Sequence, residues 1–327
     1  MVDLTTKYMG LELRNPLMVA SCSLSKSVED VKKWENAGAG AVVLKSLFEE
    51  QIRMDAGEIF GHGSADHHAE GYDYIMNTQM EFGTSDYLKV LEAARTQSTI
   101  PVIASVNCRT DEGWTEFTKK LENAGAAGLE LNISVMPTDP AVGSDEVEER
   151  ILNLVHSVTQ QVEIPVAVKL GPYYSAPAKM ARDMVWRGAS GLVLFNRFYQ
   201  FDIDVDHMRL KPGNSLSSPA ELTTALRWIA VLSGRIKAGL AATTGIHTGD
   251  DALKALLAGA DVVQLCSTLY KNGEKAITEI LERITEFLNE NEFDSIDAVR
   301  GNLSQRYSEQ PESYERLQYI KALVGIE

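Results

Sequence analysis

The chain has 327 residues and a formal net charge of −15 at pH 7. A surface this acidic disfavours nucleic acids and anionic membranes as partners, because both are themselves negatively charged. No apolar run approaches the ~20 residues of a membrane helix, and residues 1–8 lack the apolar core of a signal peptide, so the composition predicts a soluble, cytoplasmic protein.

Eight short apolar runs alternate with eight stretches that have helical periodicity or helix-boundary residues. The predicted strands are, in chain order, 17–21, 41–45, 101–105, 128–132, 164–170, 191–195, 235–239 and 261–266. The predicted helices are 27–38, 85–97, 111–125, 144–161, 176–188, 219–233, 250–259 and 274–289, and capping-box patterns begin those at Ser27 and Ser144. Two long segments without clear periodicity, 48–84 and 196–218, are predicted to be functional loops.

The strands are apolar throughout rather than alternating, as in a parallel sheet that is buried on both faces. Eight strand–helix units predict an α/β fold, a (β/α)₈ or TIM barrel, with long loops at its C-terminal face and one domain over residues 1–327. The competing open sheet would carry Gly-x-Gly-x-x-Gly after an early strand, and none follows one here. The charged, Tyr-rich tail, residues 302–327, has Leu317, Ile320 and Leu323 at helical spacing, which predicts a helix packed on the barrel or on a partner subunit.

In such a barrel the active site lies at the carboxyl ends of the strands. The residues at those ends are amides, small hydroxyl side chains, cysteines and two lysines: Ser21, Cys22, Lys45, Ser46, Asn107, Asn132, Lys169, Asn196, Thr244, Gly245, Cys266, Ser267 and Thr268. One lysine at a strand end commonly only reaches out to solvent, but two that directly end apolar strands indicate a bound anion or an electron-rich ring. Asn132 alone is equally consistent with a residue that turns the chain. The last two loops are where barrels commonly bind phosphate through backbone N–H groups and a helix N-terminus.

Five motifs, in this order and spacing, resemble those of the dihydroorotate dehydrogenases over nearly the whole length to about Arg300. The motifs are Asn-Pro-Leu-Met-Val-Ala-Ser (15–21), Leu-Lys-Ser (44–46), Leu-Asn-Ile-Ser (131–134), Val-Lys-Leu-Gly-Pro-Tyr (168–173) and Thr-Gly-Ile-His-Thr-Gly-Asp-Asp-Ala (244–252). The absence of an N-terminal membrane segment resembles the soluble class 1 enzymes rather than the membrane-associated class 2. The resemblance implies an FMN-dependent dehydrogenase that oxidises dihydroorotate to orotate in pyrimidine biosynthesis, with hydride transfer to flavin N5.

The resemblance also implies roles for individual residues. The positions that match cofactor contacts are Ala20, Ser21, Lys45, Ser46, Asn107, Asn132, Lys169, Thr244, Gly245, Ser267 and Thr268, of which the last four match the phosphate-binding segments. The positions that match substrate contacts are Lys45, which would meet the carboxylate, and Asn77, Asn132 and Asn196, which would hydrogen-bond the pyrimidine. Lys169 would stabilise negative charge on the reduced flavin ring. No metal site is implied.

The chain departs from the family motif where a proton must be removed. The family reads Asn-Leu-Ser-Cys-Pro-Asn with the cysteine as base, whereas this chain reads Asn132-Ile-Ser-Val-Met-Pro137. Val135 therefore holds the position of the cysteine and cannot accept a proton. Ser134, a water molecule or a displaced side chain would have to replace the cysteine, and Ser134 is the first candidate. Cys22 and Thr244 stand where the family has glycines.

The missing base keeps two alternatives open. One is an FMN oxidoreductase acting on a different planar substrate, and the other is a flavoprotein that transfers electrons without turnover of its own. The family implies a homodimer. Three cysteines are too few to ligate an iron–sulfur cluster within the chain, although an electron-transfer partner protein could carry one.

Overall fold

The computed structural model describes residues 2–55, 83–110, 115–133, 135–197 and 200–315. The strands are β1 (Thr6–Tyr8), β2 (Leu11–Leu13), β3 (Leu17–Val19), β4 (Ala41–Val43), β5 (Leu47–Phe48), β6 (Val102–Cys108), β7 (Gly128–Ile133), β8 (Val166–Leu170), β9 (Gly191–Leu194), β10 (Phe201–Asp204), β11 (Arg209–Pro212), β12 (Gly239–Thr243) and β13 (Val262–Leu265). The helices are α1 (Val28–Ala37), α2 (Glu49–Asp55), α3 (Thr84–Gln97), α4 (Thr115–Asn123), α5 (Ser144–Thr159), α6 (Pro177–Trp186), α7 (Leu222–Leu232), α8 (Gly249–Ala258), α9 (Ser267–Asn272) and α10 (Lys275–Glu290).

Eight parallel strands close into a barrel. Their order is β3, β4, β6, β7, β8, β9, β12 and β13, and β13 pairs again with β3. Because each crossover between neighbouring strands carries a helix, the helices pack outside the barrel and bury its outer face. The prediction of a (β/α)₈ barrel is confirmed. The assignment of the whole chain to one domain stays a prediction.

The bottom of the barrel is closed by the β1–β2 hairpin. Its two-residue turn places both Met9 (φ 53°) and Gly10 (φ 85°) in the left-handed region, as a type I′ turn requires. The turn directs Met9, together with Tyr8, into the barrel, where both are at most 5% exposed. A Cβ atom on Gly191 would lie 2.7 Å from Met9 Cγ, so a glycine there lets the hairpin enter. With its lower end filled, the barrel can hold a site only at the opposite end.

The element boundaries differ from the predicted ones at several points. The seventh barrel strand is Gly239–Thr243, so the predicted range 235–239 was wrong and begins four residues too early. The predicted capping box at Ser144 was also wrong, because Gly143 occupies the N-cap position and has no side chain to accept a hydrogen bond. At α1 the prediction is confirmed, since Ser27 and Asp30 form a complete capping box.

The two segments predicted to be loops contain regular structure where they are described. Residues 48–55 continue β5 and form α2, and the segment after β9 contains the antiparallel β10–β11 hairpin. Of the C-terminal tail, Pro311–Tyr314 is a 3₁₀ turn, and residues 316–327 with their predicted helix lie outside the described residues. Among the described helices, none is long and apolar enough to cross a membrane.

Candidate active site

A cavity of about 410 Å³ opens at the carboxyl ends of the barrel strands. Its volume lies in the ~300–1,000 Å³ range typical of small-molecule sites. The strand-end residues that line it are Ala20, Ser21, Lys169, Asn196, Thr243, Thr244, Gly245, Gln264, Cys266 and Ser267. Seven of these are predicted site residues, namely Ala20, Ser21, Lys169, Asn196, Thr244, Gly245 and Ser267, so the barrel brings them together from five strand ends.

The floor of the cavity is a buried polar group of three side chains. Lys169 Nζ lies 3.6 Å from Glu130 Oε1 and donates a hydrogen bond to Gln264 Oε1 at 3.3 Å. Gln264 Nε2 in turn donates to Glu130 Oε2 at 2.6 Å. Glu130 and Gln264 are each only 1% exposed. The anion that a buried ammonium requires is therefore supplied by the protein itself, and the pair carries no net charge.

Tyr8 lies beneath this group, at the top of the hairpin plug. Burial raises the pKa of Tyr8 well above its usual value, and the negative charges of Glu130 and Asp261 raise it further. The phenol therefore stays protonated. Its hydroxyl is buried and has no hydrogen-bond partner among the described residues.

Three predicted residues stand level with one another on neighbouring strands. The register pairs Asn107 of β6 with Asn132 of β7, and Asn132 with Lys169 of β8. Asn196, which follows β9, donates from Nδ2 to Asn132 Oδ1 at 2.8 Å. Asn132 therefore orients Asn196 and does more than turn the chain. The two amides leave further donors and an acceptor for a ligand.

A chain of hydroxyl groups links the other side of the barrel. Ser21 Oγ lies 2.9 Å from Ser46 Oγ, and Ser46 Oγ lies 2.7 Å from Ser105 Oγ. Lys45, which is partly buried, follows β4 at the same end of the barrel, and its backbone N–H donates to Ser25 O at 3.0 Å. Ser46 is thus held in place by side chains of two neighbouring strands.

The predicted phosphate segments meet around Ser217. Ser217 N donates to Ser267 Oγ at 2.9 Å, and Gly245 N donates to Ser217 Oγ at 3.2 Å. Lys271 Nζ donates to Ser217 O at 3.3 Å, which brings a cation to this end of the cavity. Burial and the nearby Lys271 lower the pKa of His247, so its imidazole is neutral at pH 7. His247 Nε2 lies 3.4 Å from Ser217 Oγ.

Two expected phosphate contacts are placed differently. Thr268 is fully buried, and its hydroxyl donates to His247 O at 3.3 Å rather than facing the cavity. The N-terminus of α8 is closed by its own capping box, in which Thr248 and Asp251 exchange hydrogen bonds. Thr244 has φ 70°, a left-handed conformation that suits the glycine of the family better than a β-branched residue.

Arg197 closes one wall of the cavity. Its Nη1 donates to Asn214 O at 2.6 Å, and its Nε donates to Glu221 Oε2 at 2.8 Å. Through these bonds Arg197 fixes the segment that follows the β10–β11 hairpin against the barrel.

Among the site residues that sequence reasoning did not assign are Glu130, Gln264, Arg197 and Ser217. The available signal for the first two was an ionisable or amide side chain inside a strand that is otherwise wholly apolar. For Arg197 and Ser217 no local pattern distinguishes a cavity wall from a solvated loop.

The region of the missing base is described only in part. Ser134 and Asn77 lie outside the described residues, so nothing is added to their predicted roles. Val135 is partly buried and packs against the main hydrophobic core. It offers no group that could take up a proton there.

The donor set of the cavity suits FMN. Ser217, Gly245 and Ser267 gather hydroxyl and N–H groups with Lys271 close by, and a phosphate would replace the bonds that these groups make to one another. Lys169 and the Asn132–Asn196 pair provide a cation and amides for the heteroatoms of a planar ring. Ala20 and Ile246 add apolar lining. Among the described residues no group of three or more metal-binding side chains could hold a metal ion.

Comparisons with known proteins agree with the cavity. The family model described as dihydroorotate dehydrogenase matches residues 3–288. The dihydroorotate dehydrogenase B (NAD(+)), catalytic subunit, of Thermoplasma acidophilum is 29% identical over 308 residues, which cover 92% of this chain and 99% of that protein. The protein of the same name from Geotalea uraniireducens is 30% identical over 318 residues, which cover 92% of this chain and 98% of the relative.

Proposed function

The chain belongs to the dihydroorotate dehydrogenase family and is a flavin-dependent oxidoreductase acting on a CH–CH bond, and from that premise we propose that it binds FMN and oxidises dihydroorotate to orotate in pyrimidine biosynthesis, in the cytoplasm. The observation that carries the proposal is the Lys169 ammonium, held at the cavity floor by Glu130 and level with Asn132. Bound FMN would accept a hydride from the substrate.

The residues of the chain have separate tasks in this reaction. Ser217, Gly245 and Ser267 hold the phosphate of the cofactor, and Ala20, Ser21, Ser46, Asn107, Lys45 and Lys169 surround its ring. Thr244 and the backbone N–H of Thr268 complete the cofactor set. Lys169 stabilises negative charge that develops on the ring during reduction. Lys45, Asn77, Asn132 and Asn196 bind the carboxylate and the amide groups of the substrate, which fixes the carbon that loses the hydride.

Proton removal is the step for which the chain is least equipped. A positioned base contributes typically ~10²–10⁴-fold to such a step. Val135 holds the position of the family's base cysteine and packs against the core. We therefore assign removal of the substrate proton to Ser134, the nearest hydroxyl in the sequence. A second candidate function follows from the same observation: oxidation of a different planar, carboxylated substrate whose proton needs no such base.

Restoring a base tests the two candidates against each other. We expect Val135→Cys to speed dihydroorotate-dependent flavin reduction at neutral to alkaline pH, because a free thiol has a pKa of about 8.5 and its ionised fraction grows over that range. Val135→Ala is the control, because it removes the valine without supplying a group that can take up a proton. Stopped-flow flavin reduction across pH measures the effect. If neither wild type nor Val135→Cys reacts with dihydroorotate, the second candidate function replaces the first.

We also propose that a separate protein takes the electrons from the reduced flavin. Support comes from the relatives, which are named catalytic subunits of an NAD(+) enzyme. In this chain the free cysteines are Cys22, Cys108 and Cys266, too few to hold an iron–sulfur cluster of its own. We therefore expect the isolated chain, once reduced, to leave NAD⁺ unreduced, and rapid reduction of NAD⁺ by this chain alone would contradict the proposal.

A homodimer forms the third part of the proposal, and the β10–β11 hairpin supports it. The register places Phe201 opposite Pro212 and Ile203 opposite Leu210, so alternation gives the hairpin one apolar face. Ile203 and Leu210 are 54% and 68% exposed. On the opposite face charged residues form ion pairs, as Asp202 does with Lys211. Since the same apolar face is present on every copy, it suits a two-fold contact between two chains.

A further inference from the structure

Two thiols meet at the rim of the cavity. Cys22 lies in the loop after β3, and Cys266 follows β13 directly. These strands are neighbours, with Val19 opposite Leu265, so their ends emerge side by side. The two thiols are close enough for each to shift the pKa of the other, and both residues are partly exposed. The function proposed above uses neither thiol.

The two thiols are electrostatically unequal. The hydrogen bond from Cys266 lowers the pKa of Cys22 to about 7 against the opposing effect of burial. The backbone N–H of Leu24, the hydroxyl of Tyr270 and the ammonium of Lys169 lower it further. The same thiol–thiol bond and burial raise the pKa of Cys266. One member of the pair is therefore a thiolate for much of the time at neutral pH, and the other remains a thiol.

The loops that carry the pair are fixed to each other. Ala20 N donates to Leu265 O at 2.8 Å, just before the two cysteines. Beyond them, Ser23 N donates to the hydroxyl of Tyr270 at 3.2 Å, and the Ser23 hydroxyl bonds the same group. The thiols are thus held together from both sides. Cys108 differs from Cys22 in exposure and in pKa. It is fully buried, and burial raises its pKa well above the usual value.

We propose that Cys22 and Cys266 form a redox-active dithiol that a hydroperoxide oxidises to an intramolecular disulfide. In the first step the Cys22 thiolate attacks one peroxide oxygen, the O–O bond breaks, and the products are a sulfenic acid on Cys22 and hydroxide. In the second step Cys266 attacks the Cys22 sulfur, the S–O bond breaks, and water leaves with the proton of the Cys266 thiol. The pair loses two electrons, which reduce the peroxide to water and hydroxide.

The position of the pair gives the disulfide a structural consequence. Cys266 lines the cavity with Ser21 and Lys169. A disulfide would join the loop after β3 covalently to the end of β13 at the cavity mouth. The redox state of the pair thereby fixes or frees two adjacent walls of the ligand site. An accessible thiolate beside a resolving cysteine is the usual environment of such a centre.

Thiol counting on the full-length chain tests the proposal without any flavin readout, so its failure is distinct from failure of the proposed function. After a modest excess of hydrogen peroxide, quenching and denaturation, we expect the three free thiols of the reduced protein to fall to one. Non-reducing peptide mapping should give one peptide pair, joining Cys22 to Cys266, that is lighter than the two reduced peptides by two hydrogen atoms. Cys108→Ser, the matched control, should form the same pair.

Single variants separate the roles of the two thiols. In Cys266→Ser the oxidation should stop at a sulfenic acid on Cys22, which a dimedone-type reagent captures. In Cys22→Ser the loss of thiols should be at least about tenfold slower, because burial raises the pKa of both remaining thiols. The proposal is overturned if treated wild type keeps three thiols, if the disulfide involves Cys108 or joins two chains, or if Cys266→Ser yields no adduct on Cys22.

Discussion

Lys169 and Glu130 form an ion pair inside the barrel, and the cavity above them depends on both. Desolvating two charges costs several kcal/mol per ion, which their attraction offsets only if the remaining polar atoms are hydrogen-bonded. Gln264 bonds both partners, whereas Glu130 Oε1 accepts no hydrogen bond among the described residues and faces the Lys169 ammonium at 3.6 Å. The ammonium therefore has a fixed position before any ligand binds, as electrostatic stabilisation of a developing charge requires.

We expect Lys169→Ala to slow flavin reduction about 10²–10³-fold and to change FMN affinity little. Under the proposed function the cation would act on charge that develops during reduction, whereas the phosphate contacts would hold the cofactor in both states. Stopped-flow reduction and fluorescence titration with FMN measure the two effects. A variant that reduces at the wild-type rate would limit Lys169 to a structural role.

The double variant Lys169→Ala/Glu130→Gln is the control for this prediction. Lys169→Ala alone leaves the Glu130 carboxylate buried without its cation, which itself destabilises a protein by about 3–5 kcal/mol. The double variant removes both charges. If it reduces flavin as slowly as the single variant, the missing cation is the cause. Recovery in the double variant would instead assign the loss to the orphaned carboxylate.

The sequence could predict which residues stand at strand ends, because the end of an apolar run is visible there, as at Asn132 and Lys169. The partner of Lys169 could not be predicted in the same way. Glu130 and Gln264 lie on strands separated by more than a hundred residues, and only closure of the barrel brings them together. The sequence shows that the ammonium needs an anion, but chain topology decides which one it receives.

At the scale of elements, the seventh barrel strand shows what local pattern leaves open. The first half of the segment 235–243 carries Arg235 and Lys237 and the second half is mainly apolar, yet the prediction placed the strand in the first half. Pairing decides otherwise, since Gly239 lies opposite Gly191 and Ala241 opposite Val262. A parallel strand must stand level with both neighbours, and this requirement cannot be read from one segment.

The capping box of α8 gives a prediction with a defined pH dependence. Burial alone would raise the pKa of Asp251, but hydrogen bonds from Lys254, Thr248 and the backbone of His247 outweigh burial and lower the pKa below its usual value. We expect Asp251→Asn to lower the free energy of unfolding by about 1 kcal/mol near pH 7. A depressed folded-state pKa stabilises the protein above the unfolded-state value, so the difference should begin to shrink as pH falls below about 4 and should disappear only below the folded-state pKa.

Urea unfolding of both proteins at pH 7 and pH 3 measures this difference. Asp250→Asn is the neighbouring control, because its carboxylate is 63% exposed and pairs only with Arg283 in the described structure. We expect that control to stay within about 0.5 kcal/mol of wild type at both pH values. If Asp251→Asn lowers the free energy of unfolding as much at pH 3 as at pH 7, the charge of Asp251 is not the cause.

The β10–β11 hairpin carries the prediction about assembly. If its apolar face joins two chains, Ile203→Asp/Leu210→Asp should convert a dimer into a monomer, because charges would be buried at the contact. Light scattering coupled to size exclusion gives the mass directly. Asp202→Ser, on the charged face of the same hairpin, should leave the dimer intact. A monomeric wild type, or a double variant that stays dimeric, would contradict this interface.

At the scale of the whole molecule, the barrel is filled from below and open above. The hairpin plug ends with Tyr8 under the Glu130–Lys169 pair, so the packing of one end supports the chemistry of the other. The barrel itself could be predicted from the alternation of strands and helices. The plug could not, because β1 and β2 are three residues each and their turn offers only one glycine as a signal.

Gly191→Ala tests the plug. The added Cβ would lie 2.7 Å from Met9 Cγ and 2.9 Å from the Tyr8 hydroxyl, so the hairpin must shift. We expect the free energy of unfolding to fall by about 1–3 kcal/mol, as in other overpacked cores. Gly83→Ala, which adds a Cβ with no atom within 4 Å, is the control and should change stability much less. Equal effects of both substitutions would contradict a tight plug.

Anaerobic titration of the FMN-loaded chain with dihydroorotate tests the central claim most directly. The flavin absorbance is followed at each addition, and the products are separated by chromatography. A chain that binds FMN in the cavity above Lys169 and oxidises dihydroorotate should carry about one FMN per chain, lose the flavin band, and release about one orotate per flavin reduced. A chain that takes up no FMN, or whose bound flavin stays oxidised in excess dihydroorotate, would contradict the claim.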